Sequence, residues 1–409
     1  MMKKASWLLA GVIVLSTLTA ASAHPEKEKK AKVSPGIEVL MNKKNMLKGK
    51  KVGLITNPTG VDAKLNSSID LLHQDPDIEL TALFGPEHGV RGDAQAGDKV
   101  DSYIDEKTGL PVYSLYGNTK KPTPEMLKNV DVLLFDIQDV GTRFYTYIYT
   151  MAYAMEAAKE NDIPFIVLDR PNPLGGIKVE GPVLDPNYSS FVGRYPIPLI
   201  HGMTAGELAQ LFNEEFNIGA DLTVVKMKGW KRRMSFEDTG LPFVLPSPNM
   251  PTVDTATVYP GMGLIEGTNI SEGRGTTKPF ELIGAPYIKS TELAEKLNSL
   301  KLSGVRFRAA SFTPTFSKHQ NKLCHGVELY VTNRSAFQPV KTGISIIKTI
   351  HDLYPDGFQF LSSNNFNLLI GNSWVKTMIE KGASAEDIVK RYEGEQKRFM
   401  NIRKKYLLY

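Results

Sequence analysis

The chain has 409 residues, a formal net charge of +5 and a single cysteine, Cys324. That length buries a sizeable core and suggests two domains, while one thiol excludes an internal disulfide. No dense basic stripe interleaved with aromatics accompanies the mild positive balance, which argues against a nucleic-acid partner.

Residues 1–23 open with Lys3 and Lys4, continue in an apolar run from Trp7 to Leu18 and end in Ala21-Ser22-Ala23. This is the grammar of a signal peptide cleaved after Ala23, with no cysteine there to carry a lipid. The apolar run is shorter than the roughly 20 residues that span a bilayer. The expectation is a secreted protein, extracellular or associated with the cell wall, with no stable membrane insertion. Residues 24–34 are rich in Lys and Glu and lack aromatics, so they are expected to be a disordered leader.

From 35 to 235 the pattern is that of an α/β layer. Four short apolar runs, KVGLITNP (51–58), ELTALFGPEHGVRG (79–92), VDVLLFDIQDVGTR (130–143) and IPFIVLDRPNP (163–173), each end in charged and amide side chains. Runs this short and rich in Val, Ile, Leu and Phe read as buried strands of a parallel sheet. Active sites of such sheets lie at the strands' carboxyl ends. If the four strands are neighbours, Asn57, Glu87, His88, Arg91, Asp136, Gln138, Asp139, Arg143, Asp169, Arg170 and Asn172 converge on one cleft. Helices are expected over 67–75, 122–130, 145–161 and 203–218, the last with Thr204 and Glu207 as a capping box. A strand is expected over 222–230. The Tyr and Met stripe of 145–161 reads as core packing.

Residues 236–290 are rich in Pro, Gly and Asn, yet contain too many apolar side chains to stay solvated. They are expected to open a second, smaller α/β domain (236–409) with an ordered, site-lining loop at 245–285. Beyond 290 the pattern gives a helix (291–300), strands at VRFRAASFTP and VELYVTN, a helix over SAFQPVKTGISIIKTIHDLYP and a helical tail.

No G-x-G-x-x-G or Walker lysine motif follows the first strand, which disfavours a nucleotide enzyme. His88, His201, His319 and His325 lie outside any zinc spacing, no G-x-S-x-G elbow is present, and Cys324 reads as buried filler. Carboxyl chemistry is left. Glu87, framed by Gly85, Pro86 and Gly89 at a strand end, suits general-acid work. For a second carboxyl group Asp136, Asp139, Asp169, Glu266 and Glu272 are all eligible. Arg143, Arg170 and Arg274 either read a substrate carboxylate or neutralise Asp139, Asp169 and Glu272. Tyr145, Tyr147, Tyr149, Trp230 and Tyr259 offer faces for a sugar, though most are expected in the core.

The motifs FGPEHGVRGDAQAG, DIQDVGTRFYTY, LDRPNP, EGP, HGMT, PSPNMP and EGTNISEGRGTTKPFE, spread over essentially the whole mature chain, resemble the secreted exo-β-N-acetylmuramidases of the NamZ type. The resemblance implies a Rossmann-like domain followed by a smaller α/β domain, the active-site cleft between them and no cofactor. It implies release of terminal, non-reducing β-1,4-linked N-acetylmuramic acid from peptidoglycan-derived MurNAc-GlcNAc fragments, in cooperation with other wall hydrolases. The family's glutamate falls on PEHG, hence on Glu87.

The expected catalytic set is Glu87, with His88 orienting it, and Asp136 or Asp139. Asn57, Arg91, Gln138, Arg143, Tyr145, Asp169, Arg170, Asn172, His201, Asn249, Asn269, Glu272 and Arg274 are expected around the substrate, and no metal. The Arg cluster has a candidate ligand in the 3-O-lactyl carboxylate of muramic acid. Retention or inversion stays open, because it depends on the distance between two carboxyl groups. Two rivals are a non-catalytic binder of wall sugars that closes two lobes on its ligand and an amidase cleaving the lactyl-peptide bond.

Overall fold

The computed structural model describes residues 32–92, 101–117 and 119–409. The signal sequence, most of the leader and residues 93–100 and 118 lie outside the described residues.

Among the described residues the first half holds nine strands: β1 (Lys51–Thr56), β2 (Glu79–Gly85), β3 (Tyr103–Ile104), β4 (Pro111–Ser114), β5 (Val132–Asp136), β6 (Phe165–Leu168), β7 (Glu180–Val183), β8 (Pro198–Ile200) and β9 (Leu222–Val225). Seven form one sheet in the order β3-β4-β2-β1-β5-β6-β9, while β7 and β8 pair as a separate ribbon. Every pairing in the sheet is parallel except β3 with β4. Taken in chain order, the six parallel strands run 3-2-1-4-5-6, the doubly wound order whose switch point lies between the first and fourth. Here those are β1 and β5, with Thr56 opposite Asp136.

The strands are apolar along their length because both faces are covered. On one face Ile37, Leu40, Ile69 and Leu72, from helices Gly36–Met41 and Ser68–His73, pack on Val52, Leu54, Val132 and Leu134. On the other, helices Tyr147–Glu160 and Ala205–Glu215 cover Ile55, Phe84, Leu133 and Phe135. Tyr149, Met151 and Met155 are fully buried, as a core stripe should be. Ser67 caps its helix, and Thr204 with Glu207 closes the expected capping box.

The Pro- and Gly-rich segment is ordered and includes a helix, Val253–Met262, that its composition hides. Gly261 explains it: this helix crosses helix Pro339–Leu353 so closely that a Cβ on Gly261 would lie 1.8 Å from the Pro339 carbonyl oxygen. Then come β10 (Leu282–Ala285), β11 (Val305–Phe312) and β12 (Cys324–Val331), an antiparallel sheet in the order β10-β12-β11. Cys324 is buried and burial pushes its thiol up to about 11, so it is inert filler. Val140, Phe144, Leu199 and Ile200 share the apolar core of this second half. The tail returns to the first half: Phe399 and Tyr406 pack in its core and the Tyr409 hydroxyl donates to Asp169 Oδ2 at 2.7 Å.

One correction concerns the leader, which is ordered from Lys32 rather than Pro35. Lys32 and Val33 donate backbone hydrogen bonds to the Thr239 carbonyl, Ser34 pairs with Lys228, and Val33 is buried against Met227 and Trp230. Among the described residues no helix is long and apolar enough to cross a membrane.

Candidate active site

The four strands singled out in the sequence are contiguous in the sheet, as β2-β1-β5-β6. Their ends do gather at the switch point, but they serve different ends.

At the end of β2 the chain turns over Pro86–Gly89, with the Gly89 N–H donating to the Pro86 carbonyl at 3.1 Å. His88 (φ 75°) and Gly89 (φ 74°) are both left-handed, an uncommon state for a non-glycine residue. A side chain on Gly85 would press on Gly89 and Val90, so Gly85 lets the turn fold onto itself rather than admitting a ligand. The turn leaves Glu87 half-buried, with His88 buried beside it. The Tyr116 hydroxyl, just past β4, is hydrogen-bonded to the Glu87 carboxylate; burial first, then that carboxylate, pushes the hydroxyl up to about 12. The Glu87 charge also reaches the hydroxyls of Tyr145, Tyr147 and Tyr259, all raised above the ordinary tyrosine range chiefly by burial.

These last three rings form an edge-to-face chain, Tyr147 to Tyr145 at 5.0 Å and Tyr145 to Tyr259 at 5.8 Å between centroids. The Tyr147 hydroxyl donates to the Pro246 carbonyl at 2.5 Å, tying the first half to the long connecting loop. The Tyr145 hydroxyl and the Asn57 amide approach Tyr147 without reaching hydrogen-bond geometry, so Tyr145 Oη and Asn57 Nδ2 are buried and unsatisfied. Asn57 Oδ1 is occupied, accepting from the Thr59 N–H and hydroxyl. Asp139, past the end of β5, is buried with Oδ2 accepting from the Gly141 N–H at 2.7 Å, and Oδ1 has no partner. Burial pushes its carboxyl up to about 7. Asn249, buried three residues beyond Pro246, also keeps an unsatisfied Nδ2.

From the second half, Glu266, Glu272, Arg274 and Lys318 complete the surround. Arg274 reaches Glu266 at 3.3 Å and Glu272 at 3.4 Å, and lies over the Phe280 ring. Lys318 pairs with Glu272 at 2.8 Å and donates to the Ile265 and Thr268 carbonyls. Tyr259 links this group to the first half, since its hydroxyl feels Glu266, Arg274, Glu87 and Asp139 together.

Other expected site residues are struts. Asp136 is fully buried and clasped by Arg170 at 2.6 and 2.8 Å and by the Ser68 hydroxyl at 2.6 Å, which removes both from catalysis and lactyl recognition. Arg143 is also fully buried, its guanidinium donating to the carbonyls of Pro182, Ile197 and Leu369, so it reads no substrate. Arg91 pairs with Asp105 at 2.9 Å and Asp70 at 3.4 Å. Asp169 holds the N-terminus of helix Ala205–Glu215 and the Tyr409 hydroxyl; Asn172 and Gln138 brace loop carbonyls. His201 is fully buried and accepts from the Met203 N–H, burial lowering it to about 3. Asn269 is spent on Gly357, Tyr287 and Gln359.

The sequence reading missed Tyr116 and Lys318. Tyr116 had a signal: it closes the apolar run PVYSLY at another parallel strand's carboxyl end. Lys318 had none, lying in a polar loop. Volume alone points elsewhere, for a hollow of about 600 Å³ lined by Phe216, Trp374, Arg391 and Phe399 contains none of these groups. Unsatisfied buried polar atoms mark a ligand site more directly.

The chain matches the sequence profiles described as exo-beta-N-acetylmuramidase NamZ, N-terminal, over residues 52–254 and C-terminal over 257–409. It is 71% identical to the peptidoglycan beta-N-acetylmuramidase NamZ of Bacillus subtilis (strain 168), over 98% of each chain. Two crystal structures of DUF1343 family proteins from Bacteroides fragilis are similar to it. One has a TM-score of 0.88 and 42% identity, covering 93% of this chain and all of that one. The other has a TM-score of 0.76 and 37% identity, covering 92% and 99%. With both profiles matched and this likeness sustained from end to end, the chain belongs to the exo-β-N-acetylmuramidase NamZ family.

Proposed function

We propose that this chain is an exo-acting glycosidase that releases terminal, non-reducing β-1,4-linked N-acetylmuramic acid from peptidoglycan fragments, with Glu87 as general acid. The carrying observation is the placement of Glu87: half-buried past the carboxyl end of β2, the neighbour of switch-point strand β1, hydrogen-bonded by Tyr116 and with its charge reaching three tyrosine hydroxyls. A carboxyl group so placed donates its proton to the leaving glycosidic oxygen, while the partly exposed Tyr145 ring offers a sugar an apolar face. With Arg143 and Arg170 committed to the fold, Arg274 and Lys318 are the cations that meet the lactyl carboxylate. Export through residues 1–23 brings the enzyme to its substrate outside the membrane, where wall hydrolases that cut internally supply new chain ends.

A chromogenic β-glycoside of N-acetylmuramic acid tests the reading. Wild type releases the chromophore, and Glu87→Gln lowers the rate by roughly 10²–10⁴-fold while circular dichroism stays unchanged. No release by wild type, or undiminished release by the variant, overturns it.

A further inference from the structure

Asp139 differs from the other buried acids of the site in what holds it. Asp136 faces Arg170 and Glu272 faces Lys318, whereas among the described residues Asp139 makes no ion pair. Asp139 is only 8% exposed, its Oδ2 is fixed by the Gly141 N–H, and its Oδ1 is unpartnered. Gly141 (φ 80°) lies so close to Asn172 that an added Cβ would sit 2.2 Å from Asn172 Oδ1, so backbone packing aims the carboxyl group. Asp139 and Glu87 share neighbours, since the charges of both reach Tyr147 and Tyr259. Among the described residues the unmet buried atoms of the site include the amide donors Asn57 Nδ2 and Asn249 Nδ2 and the Tyr145 hydroxyl, while Asp139 Oδ1 is a carboxylate acceptor that, unlike Glu272 Oε2 against Lys318, faces no cation. An acceptor in such company selects a substrate N–H, and a 2-acetamido sugar offers one beside the anomeric carbon.

We infer that Asp139 is the second catalytic carboxyl group, accepting the N–H of the substrate's acetamido group and holding the acetamido oxygen against the anomeric carbon. This rests on the muramidase reading above and supplies the substrate-assisted route of glycoside hydrolysis. Glu87 gives its proton to the leaving oxygen, the C1–O bond electrons pass to that oxygen, and the acetamido oxygen bonds to C1. The cyclic oxazolinium ion so formed keeps its N–H on Asp139 Oδ1. Water then adds to C1 and returns a proton to Glu87, and the C1–O bond to the acetamido oxygen breaks, restoring the amide with retention.

The test uses the full chain and chromogenic muramic acid β-glycosides bearing N-acetyl, N-monofluoroacetyl and N-trifluoroacetyl groups. Electron withdrawal weakens the acetamido oxygen, so wild-type kcat falls steeply along the series. Asp139→Ala and Asp139→Asn lower kcat on the N-acetyl substrate by on the order of 10²-fold or more with a smaller change in KM. A wild-type kcat indifferent to fluorination, or variants within threefold of wild type, overturns the inference and leaves the muramidase reading standing. A glycosyl azide formed by Asp139→Ala in added azide with the same anomeric hand as a direct displacement product also overturns it, by making Asp139 the nucleophile. A wild type inactive on every substrate brings down both. The fluorine series needs no variant, so it decides even if a substitution unfolds the protein.

Discussion

Two residues separate Asp136 from Asp139, and packing gives the two acids opposite fates. Asp136 ends β5 inside the sheet, where Arg170 and Ser68 meet both of its oxygens. Asp139 lies beyond the strand, held through one oxygen only. The arginines divide in the same way: Arg143 and Arg170 are buried in the fold, while Arg274 stays partly exposed between Glu266 and Glu272. Two carboxylates sharing Arg274 leave its guanidinium fork incompletely matched, and a lactyl carboxylate can compete for it. Arg274→Ala should therefore raise KM for muramic acid glycosides about tenfold while changing little for glucosamine analogues lacking the lactyl arm. Equal losses on both sugars would show that Arg274 only balances its two acids. Glu87 could be singled out in the sequence because its glycine-framed motif is local. The partners of Asp136 and Arg143 could not be, since they lie 34 to 68 and up to 226 residues away.

At the scale of elements, strands were easier to read than the helix Val253–Met262. A parallel strand buried on both faces is apolar throughout, and that shows in four to six residues. The helix is rich in Thr, Val, Pro and Gly, all poor helix formers, and holds Pro260 inside it. It forms because Gly261 and Gly343 let two helices cross at backbone contact, a tertiary gain that outweighs local propensity. Gly261→Ala should destabilise the protein by about 3 kcal/mol in urea titrations, at the upper end of ordinary overpacking, because the obstacle is the Pro339 backbone. A loss below about 0.5 kcal/mol would mean that the crossing is not tight.

For the molecule as a whole, buried titratable groups set the pH of greatest stability. Burial raises Asp139 and Glu180 to about 7 and Asp169 to about 6, so their stabilising contribution is complete below about pH 4 and is lost as pH rises through 6 to 7. Burial lowers His201 to about 3, so its contribution is present above about pH 6.5 and is lost as pH falls towards 3. Asp105 and Glu328, each lowered to about 2, add to the loss below pH 4. Three acids outweigh one histidine between pH 4 and 7, so calorimetry should give a higher melting temperature at pH 5 than at pH 8, with a shallower decline in Asp139→Asn. A melting temperature that rises from pH 5 to pH 8 would contradict this. The strand-end motifs by themselves determined the sheet class and the convergence of β2, β1, β5 and β6 on one edge, and they singled out Glu87 as the acid to propose. Only the tertiary structure decided which of the gathered charges are spent on the fold, as Asp136 and Arg143 are, and which keep an unmet atom, as Asp139 does. Strand formation depends on neighbours in sequence, whereas the satisfaction of a buried charge depends on whichever distant groups packing brings within about 3 Å.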